Sequence, residues 1–269
     1  MVSIMQTEFF RLKKSKLFWA LLGVTAALPL ISALLNLGIF LIAGSEFDGL
    51  EVNIWDLIRS TNMLGSGLSN LTTMMGDSFL ALICTSIFLS KEFSGGTFRN
   101  MILANKSRRD LYLAFLSMAL LIGAIYFGAS FVSTFVFYSA FFGVGGLSAK
   151  TIISALFITL AMGLVSKIFV QTMMCMFMFG TRKLAVALIC PLVICMIFPS
   201  FLITFIDVFV EFELLNKASL SWIPLYNTTM LSVIDIDGAL VGKILMYNIP
   251  LSVFFGFMGW LRFRKADLK

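Results

Sequence analysis

Two charged residues, Asp77 and Lys167, lie near the centres of long apolar stretches. A charge at the centre of a bilayer costs about 3 kcal/mol or more, so each needs a partner or water. A mutual ion pair is the simpler interpretation, and the alternative is that one or both line a hydrated path. Gln171, one helical turn after Lys167, could share either role.

Other chemistries have little support in the sequence. The 269 residues include no His, which removes the commonest general base and the commonest metal ligand. No Gly-x-x-x-x-Gly-Lys-Ser/Thr phosphate loop occurs either. The cysteines all fall in apolar stretches, where packing is the expected role; they are Cys84, Cys175, Cys190 and Cys195. We therefore expect no catalytic residues, no cofactor and no metal in this chain, which is not predicted to be an enzyme.

The positions of these residues depend on membrane-spanning helices. Apolar residues make up 59% of the chain and charged residues 13%, and the mean hydropathy is +0.99. Several apolar stretches exceed the roughly 20 residues that cross a bilayer. The sequence predicts an all-α integral membrane protein with a single domain, 1–269. After an amphipathic cytoplasmic lead, 1–16, the six predicted transmembrane helices cover 17–43, 64–89, 111–142, 151–179, 184–209 and 239–261.

The basic residues are distributed unevenly between the two sides of these spans. Of the 20 Lys and Arg residues, 15 lie on the side of the two termini, 4 lie on the other side, and Lys167 lies within a span. The positive-inside rule then places both termini in the cytoplasm. Anionic inner-leaflet lipid accounts for the net charge of +6, so no nucleic-acid partner is expected.

The cytoplasmic segment Lys91–Arg109 mixes apolar and basic residues at helical spacing. Phe98, Met101 and Ile102 share one face of a short helix, which Thr97 is expected to cap. Such a helix would lie along the inner membrane surface with its apolar face free to dock into lipid or into a partner's groove. The alternative is a basic interfacial helix that only anchors the two flanking spans.

The motif in this segment resembles the cytoplasmic connection between the second and third helices of ABC-2 type permeases. It consists of Glu92-Phe93, Gly96-Thr97, Arg99-Asn100 and Ser107-Arg108. The length, the six predicted spans and the basic cytoplasmic ends are also similar to that family. The prolines that often precede the Ser-Arg pair are replaced here by Ala104, Asn105 and Lys106.

The resemblance implies that this segment is a short coupling helix, which fits a cleft on an ATPase subunit. The ATPase-coupling residues that it implies are Glu92, Phe93, Gly96, Thr97, Phe98, Ile102, Ser107 and Arg108. A second element, Met5 to Lys16 with Phe9, Phe10 and Leu12, resembles the interfacial connecting helix of the family. Its alternative is a plain positive-inside anchor.

The function that the resemblance implies is that of a permease subunit in an ATP-binding cassette exporter, in a bacterial plasma membrane. The implied partners are an ATPase subunit, which binds ATP and Mg²⁺, a second permease chain, identical or different, and membrane lipid. The cargo would be a hydrophobic or amphipathic peptide, antibiotic or lipid, in some cases for antibiotic or peptide resistance. Two alternatives stay open: an ion-coupled secondary transporter that uses Asp77 and Lys167, and a non-transporting membrane scaffold or sensor.

Overall fold

The computed structural model describes residues 2–46, 75–104, 107–143, 149–197 and 238–265. Every regular element within these ranges is helical, in agreement with the predicted all-α class. The elements are α1 (Val2–Lys14), α2 (Lys16–Glu46), α3 (Met75–Ser94), α4 (Thr97–Leu103), α5 (Arg108–Phe142), α6 (Ala149–Thr181), α7 (Leu184–Leu192), a π-helical continuation (Val193–Ile197) and α8 (Gly238–Lys265).

Four stretches in the described ranges are long and apolar enough to cross a membrane, and they match the first, third, fourth and sixth predicted spans. They are Lys16–Gly38, Arg108–Phe142, Ile152–Thr181 and Val241–Lys265. The second and fifth predicted spans fall partly outside the described residues, at 64–74 and 198–209. The total of six spans therefore stays a prediction.

The second span was predicted to end at residue 89, but α3 continues to Ser94. It ends where Gly95 and Gly96 turn the chain, and their N–H groups bond back to the carbonyls of Lys91 and Phe93 at 2.9 and 3.3 Å. Glu92 therefore belongs to the last turn of a helix rather than to a loop.

Hydrogen bonds across the apolar interior join α2 to α5. The Tyr126 hydroxyl donates to the carbonyl of Phe18 at 3.0 Å. The Tyr138 hydroxyl lies 2.9 Å from the Ser32 hydroxyl and accepts a bond from the Asn36 amide at 3.0 Å. Each such bond between transmembrane helices contributes about 0.6 kcal/mol on average, so together they fix the register of the two helices.

Close packing of a glycine joins α5 to α6. The ring of Phe127 lies against Gly163, where an added Cβ would come within 2.1 Å of the Phe127 Cζ. Only a residue without a side chain fits at this position. Gly128, the next residue on α5, has nothing within 4 Å of an added Cβ.

Gly163→Ala is therefore expected to lower the free energy of unfolding by about 1–3 kcal/mol, because the Phe127 ring must move out of a packed site. Gly128→Ala is the matched control and should leave stability unchanged or slightly higher. The midpoint of thermal unfolding of the purified chain in detergent measures both. Equal midpoints for the two variants would contradict this account of the α5–α6 contact.

Candidate coupling surface

The turn into α4 depends on Gly96. This residue has φ 66° and ψ 13°, a left-handed conformation that glycine adopts at little cost, and it occupies the N-cap position. Thr97 was predicted to cap the helix, but it is the first helical residue, and no side chain bonds the N-cap. The backbone of the Gly-Thr pair thus defines where α4 begins.

Phe98 was predicted to belong to a face free to dock elsewhere, and that prediction is wrong because Phe98 is only 2% exposed. Its ring lies 4.4 Å from the ring centroid of Phe93 and 4.6 Å from that of Phe115. These rings belong to a set contributed by α3, α4, α5, α6 and α8, which we call the aromatic cluster: Phe93, Phe98, Tyr112, Phe115, Phe179, Trp260 and Phe263. The apolar face of α4 therefore packs on the chain's own helices.

The opposite side of α4 is open to solvent. Met101 and Ile102 are half-buried against the same core as Phe98. Leu103 is 75% exposed, and Asn100 and Ala104 are also exposed. We call Asn100, Leu103 and Ala104 the outer face of α4. Its apolar tip, Leu103, was not among the predicted coupling residues.

The Ser-Arg pair after α4 connects the beginning of α5 to the end of α8. The Ser107 hydroxyl accepts a bond from the N–H of Asp110 at 3.0 Å and so caps α5. The Arg108 guanidinium donates to the carbonyl of Arg264 at 2.8 Å, in the last turn of α8. Positive charge at a helix C-terminus is favourable, so this bond stabilises the end of α8.

Glu92 binds α1 rather than facing solvent. Its Oε1 lies 2.8 Å from Nη2 of Arg11 on α1, and Nη1 of Arg11 lies 3.1 Å from both carboxylate oxygens of Glu8. Glu8 and Glu92 are 0% and 1% exposed, whereas Arg11 is half exposed. We call Glu8, Arg11 and Glu92 the carboxylate–arginine clamp, which fixes α1 beside the last turn of α3.

The clamp holds two buried carboxyl groups with one guanidinium. Burial raises the pKa of Glu8 above its usual value, the nearby charge of Glu92 raises it further, and Arg11 opposes both effects. The hydrogen bond to Glu92 is the main reason that the pKa of Arg11 is raised. The Oε2 atom of Glu92 is buried with no hydrogen-bond partner among the described residues. Glu92 therefore holds Arg11 by the shortest contact, through one of its two oxygens, whereas both oxygens of Glu8 contact Arg11.

The buried face of α1 differs from the face that the sequence emphasised. Ile4, Glu8 and Leu12 repeat every four residues and are buried, while Phe9 and Phe10 are exposed. The spacing of Glu8 and Arg11 is the signal that could have identified this face, because residues three apart are neighbours on a helix.

The predicted pair of intramembrane charges involves one side chain that the structure does not describe. Asp77 lies in the first turn of α3, but its side chain is outside the described residues, so the pair with Lys167 stays a prediction. The Lys167 ammonium lies 5.5 Å from the ring centroid of Phe127, a cation–π distance. Gln171 is buried, and its side chain occupies the space beside Gly123.

Comparison with known families gives a match over most of the chain. The sequence model of a family described as ABC-2 family transporter protein matches residues 4–201, which include the clamp, α4 and most of the aromatic cluster. A search of curated proteins gave no significant match.

The clamp predicts different effects for its two carboxylates. Glu92→Gln removes the charge at the shortest contact of Arg11 and should weaken the docking of α1 by about 1–2 kcal/mol, a value reduced by the exposure of Arg11. Glu8→Gln should change docking by less than about 0.5 kcal/mol, because the contact between Glu8 and Arg11 lies within α1 and does not join α1 to α3. Hydrogen–deuterium exchange of residues 2–14 measures docking, and equal effects of the two variants would contradict the assignment.

The pKa of Glu8 also predicts the pH dependence of α1 docking. Because that pKa is raised when α1 is docked, protonation favours the docked state. The contribution of Glu8 to docking should be largest below the ordinary carboxyl pKa and should be lost as the pH rises through the raised value. Exchange of residues 2–14, corrected for intrinsic rates, should be slower at about pH 5 than at about pH 8. The difference should disappear in Glu8→Gln, and a difference of the same size in that variant would refute the assignment to Glu8.

Proposed function

Because the chain belongs to the ABC-2 family of transporter proteins, we propose that it is the membrane subunit of an ATP-binding cassette exporter. The ATP and Mg²⁺ are bound by a separate ATPase subunit. The observation that carries this proposal is that the two faces of α4 differ in burial. The inner face is buried in the aromatic cluster, and the outer face is exposed.

In this proposal the ATPase subunit binds the outer face of α4, with Leu103 in an apolar cleft of the partner. An exposed leucine that becomes fully buried contributes about 1.5–3 kcal/mol to binding. The neighbouring polar side chain of Asn100 would set the orientation. The predicted roles of Phe98 and Ile102 change from contacting the ATPase to connecting α4 with the spans.

The aromatic cluster supplies the mechanical link. Its rings come from α3, α5, α6 and α8, so a displacement of α4 pushes on all four helices near their cytoplasmic ends. Packed interiors have low compressibility and transmit such displacements. The bond from Arg108 to the Arg264 carbonyl also joins the beginning of α5, the helix that follows α4, to the end of α8. Closure of the ATPase subunits would thereby reorient the spans.

The cargo in this proposal is a hydrophobic or amphipathic molecule: a peptide, an antibiotic or a lipid. It would cross between this chain and a second permease chain, identical or different. A broad apolar surface on α2 supports a lipid or protein neighbour there, since it exposes Trp19, Val24, Ile31, Leu34 and Leu35. The basic last turns of α1 and α8 support a cytoplasmic location for both ends of the described chain. The membrane in this proposal is a bacterial plasma membrane.

Co-expression with an ABC-type ATPase subunit tests the proposal. The wild-type pair should co-purify, and Leu103→Gln should weaken the complex at least about tenfold, because the apolar contact is lost. Leu184→Gln, at the exposed first residue of α7, is the matched control and should leave the affinity within about twofold.

Two outcomes would count against this function. Co-purification that is insensitive to Leu103→Gln would show that α4 does not carry the contact. A stable complex that never moves cargo across proteoliposome membranes would instead favour a scaffold or sensor.

A further inference from the structure

A pocket of about 400 Å³ lies between α1, the first turn of α2 and the last turns of α3. It is next to the carboxylate–arginine clamp and at the cytoplasmic ends of the first two predicted spans. Coupling to an ATPase does not require this pocket. Its lining combines charged and apolar side chains, which suggests a ligand that combines the same two characters.

The charged side of the pocket carries more cations than anions. Arg11, Lys14 and Lys91 line it together with one carboxylate, Glu92. Arg11 is already bound by the carboxylates of the clamp. Lys14 and Lys91 are exposed and form no ion pair with an acidic residue in the described ranges, and the Lys14 ammonium lies 4.3 Å from the ring centroid of Phe10. Two lysines are therefore available to a phosphate group.

The other side of the pocket is apolar. Leu17, Ile87 and Phe88 line it, at the level where α2 and α3 enter the predicted membrane. Free phosphate or a soluble nucleotide would leave these side chains without a matching surface. The acyl chains of a phospholipid would cover them while its headgroup stays beside the lysines.

A second and independent observation concerns the headgroup. Glu92 lines the pocket, and its Oε2 is buried without a hydrogen-bond partner among the described residues. A buried carboxylate oxygen without a donor is unfavourable. A ligand hydroxyl group would supply that donor, and the net positive lining favours a headgroup with net negative charge over a zwitterionic one.

We propose that this pocket binds an inner-leaflet anionic phospholipid whose headgroup carries a hydroxyl group, as in phosphatidylglycerol. The lysines hold the phosphate, Glu92 accepts the headgroup hydroxyl, and the apolar wall holds the acyl chains. The lipid thereby fastens α1 to α3 just before α4. Lipid binding and its effect on α1 do not rest on the proposed export function.

Native mass spectrometry of the purified full-length chain tests the site with dioleoylphosphatidylglycerol as the probe. Lys14→Gln combined with Lys91→Gln should weaken binding about tenfold or more, because each basic group near an anionic headgroup strengthens binding about fivefold. Lys13→Gln combined with Lys183→Gln removes the same charge from exposed positions outside the pocket and should change binding less than about twofold. If the first variant does not fold, Ile87→Trp blocks the apolar wall instead and should weaken binding with all charges retained.

Three comparison ligands test which chemical groups of the lipid the pocket recognises. Dioleoylphosphatidylmethanol keeps the charge but lacks hydroxyl groups and should bind several-fold more weakly than phosphatidylglycerol. Phosphatidylethanolamine should bind more weakly than both. Glycerol 1-phosphate should not compete at matched concentration. Equal binding of the zwitterionic lipid, effective competition by glycerol 1-phosphate, or equal losses in the two double-lysine variants would overturn the proposal.

Discussion

The burial of the Phe98 ring is the interaction on which the rest of the arrangement depends. A seven-residue helix such as α4 is too short to be stable alone, so its position comes from tertiary contacts. Phe98 supplies them, since its ring meets rings from α3, α5, α6 and α8. The same contact turns Leu103 outward. One buried side chain thus both attaches α4 to the spans and presents its outer face to a partner.

Two polar connections keep the flanking segments in place around this core. On one side the carboxylate–arginine clamp holds α1 against the last turn of α3, through Arg11. On the other side Arg108 joins the beginning of α5 to the end of α8. Arg11 is partly open to water, so the clamp is a modest and adjustable contact rather than a rigid one. Protonation of Glu8, or binding of an anionic lipid beside Lys14 and Lys91, would change how strongly α1 is docked against α3.

Much of this organisation could be predicted from the sequence. The ends of the predicted spans 17–43, 111–142 and 151–179 lie within about three residues of the ends of α2, α5 and α6. The agreement is good because the length and hydropathy of a stretch largely determine whether it crosses a bilayer. Periodicity placed Phe98, Met101 and Ile102 on one face, but it could not say whether that face meets lipid, a partner or the chain's own helices. Likewise the Glu8–Arg11 spacing is visible in the sequence, but its contact with Glu92 requires the tertiary fold.

The central claim is that the aromatic cluster carries motion from α4 to the spans, and fluorescence of Trp260 tests it most directly. The Trp260 ring lies 5.9 Å from that of Tyr112 in the cluster. In a variant that keeps Trp260 as its only tryptophan, bound to the ATPase subunit, ATP and Mg²⁺ should shift the emission. Phe98→Leu should abolish the emission shift without dissociating the complex. Phe254→Leu, which changes an exposed ring, should leave the shift unchanged. An undiminished shift in Phe98→Leu, or no shift in the parent, would contradict the account.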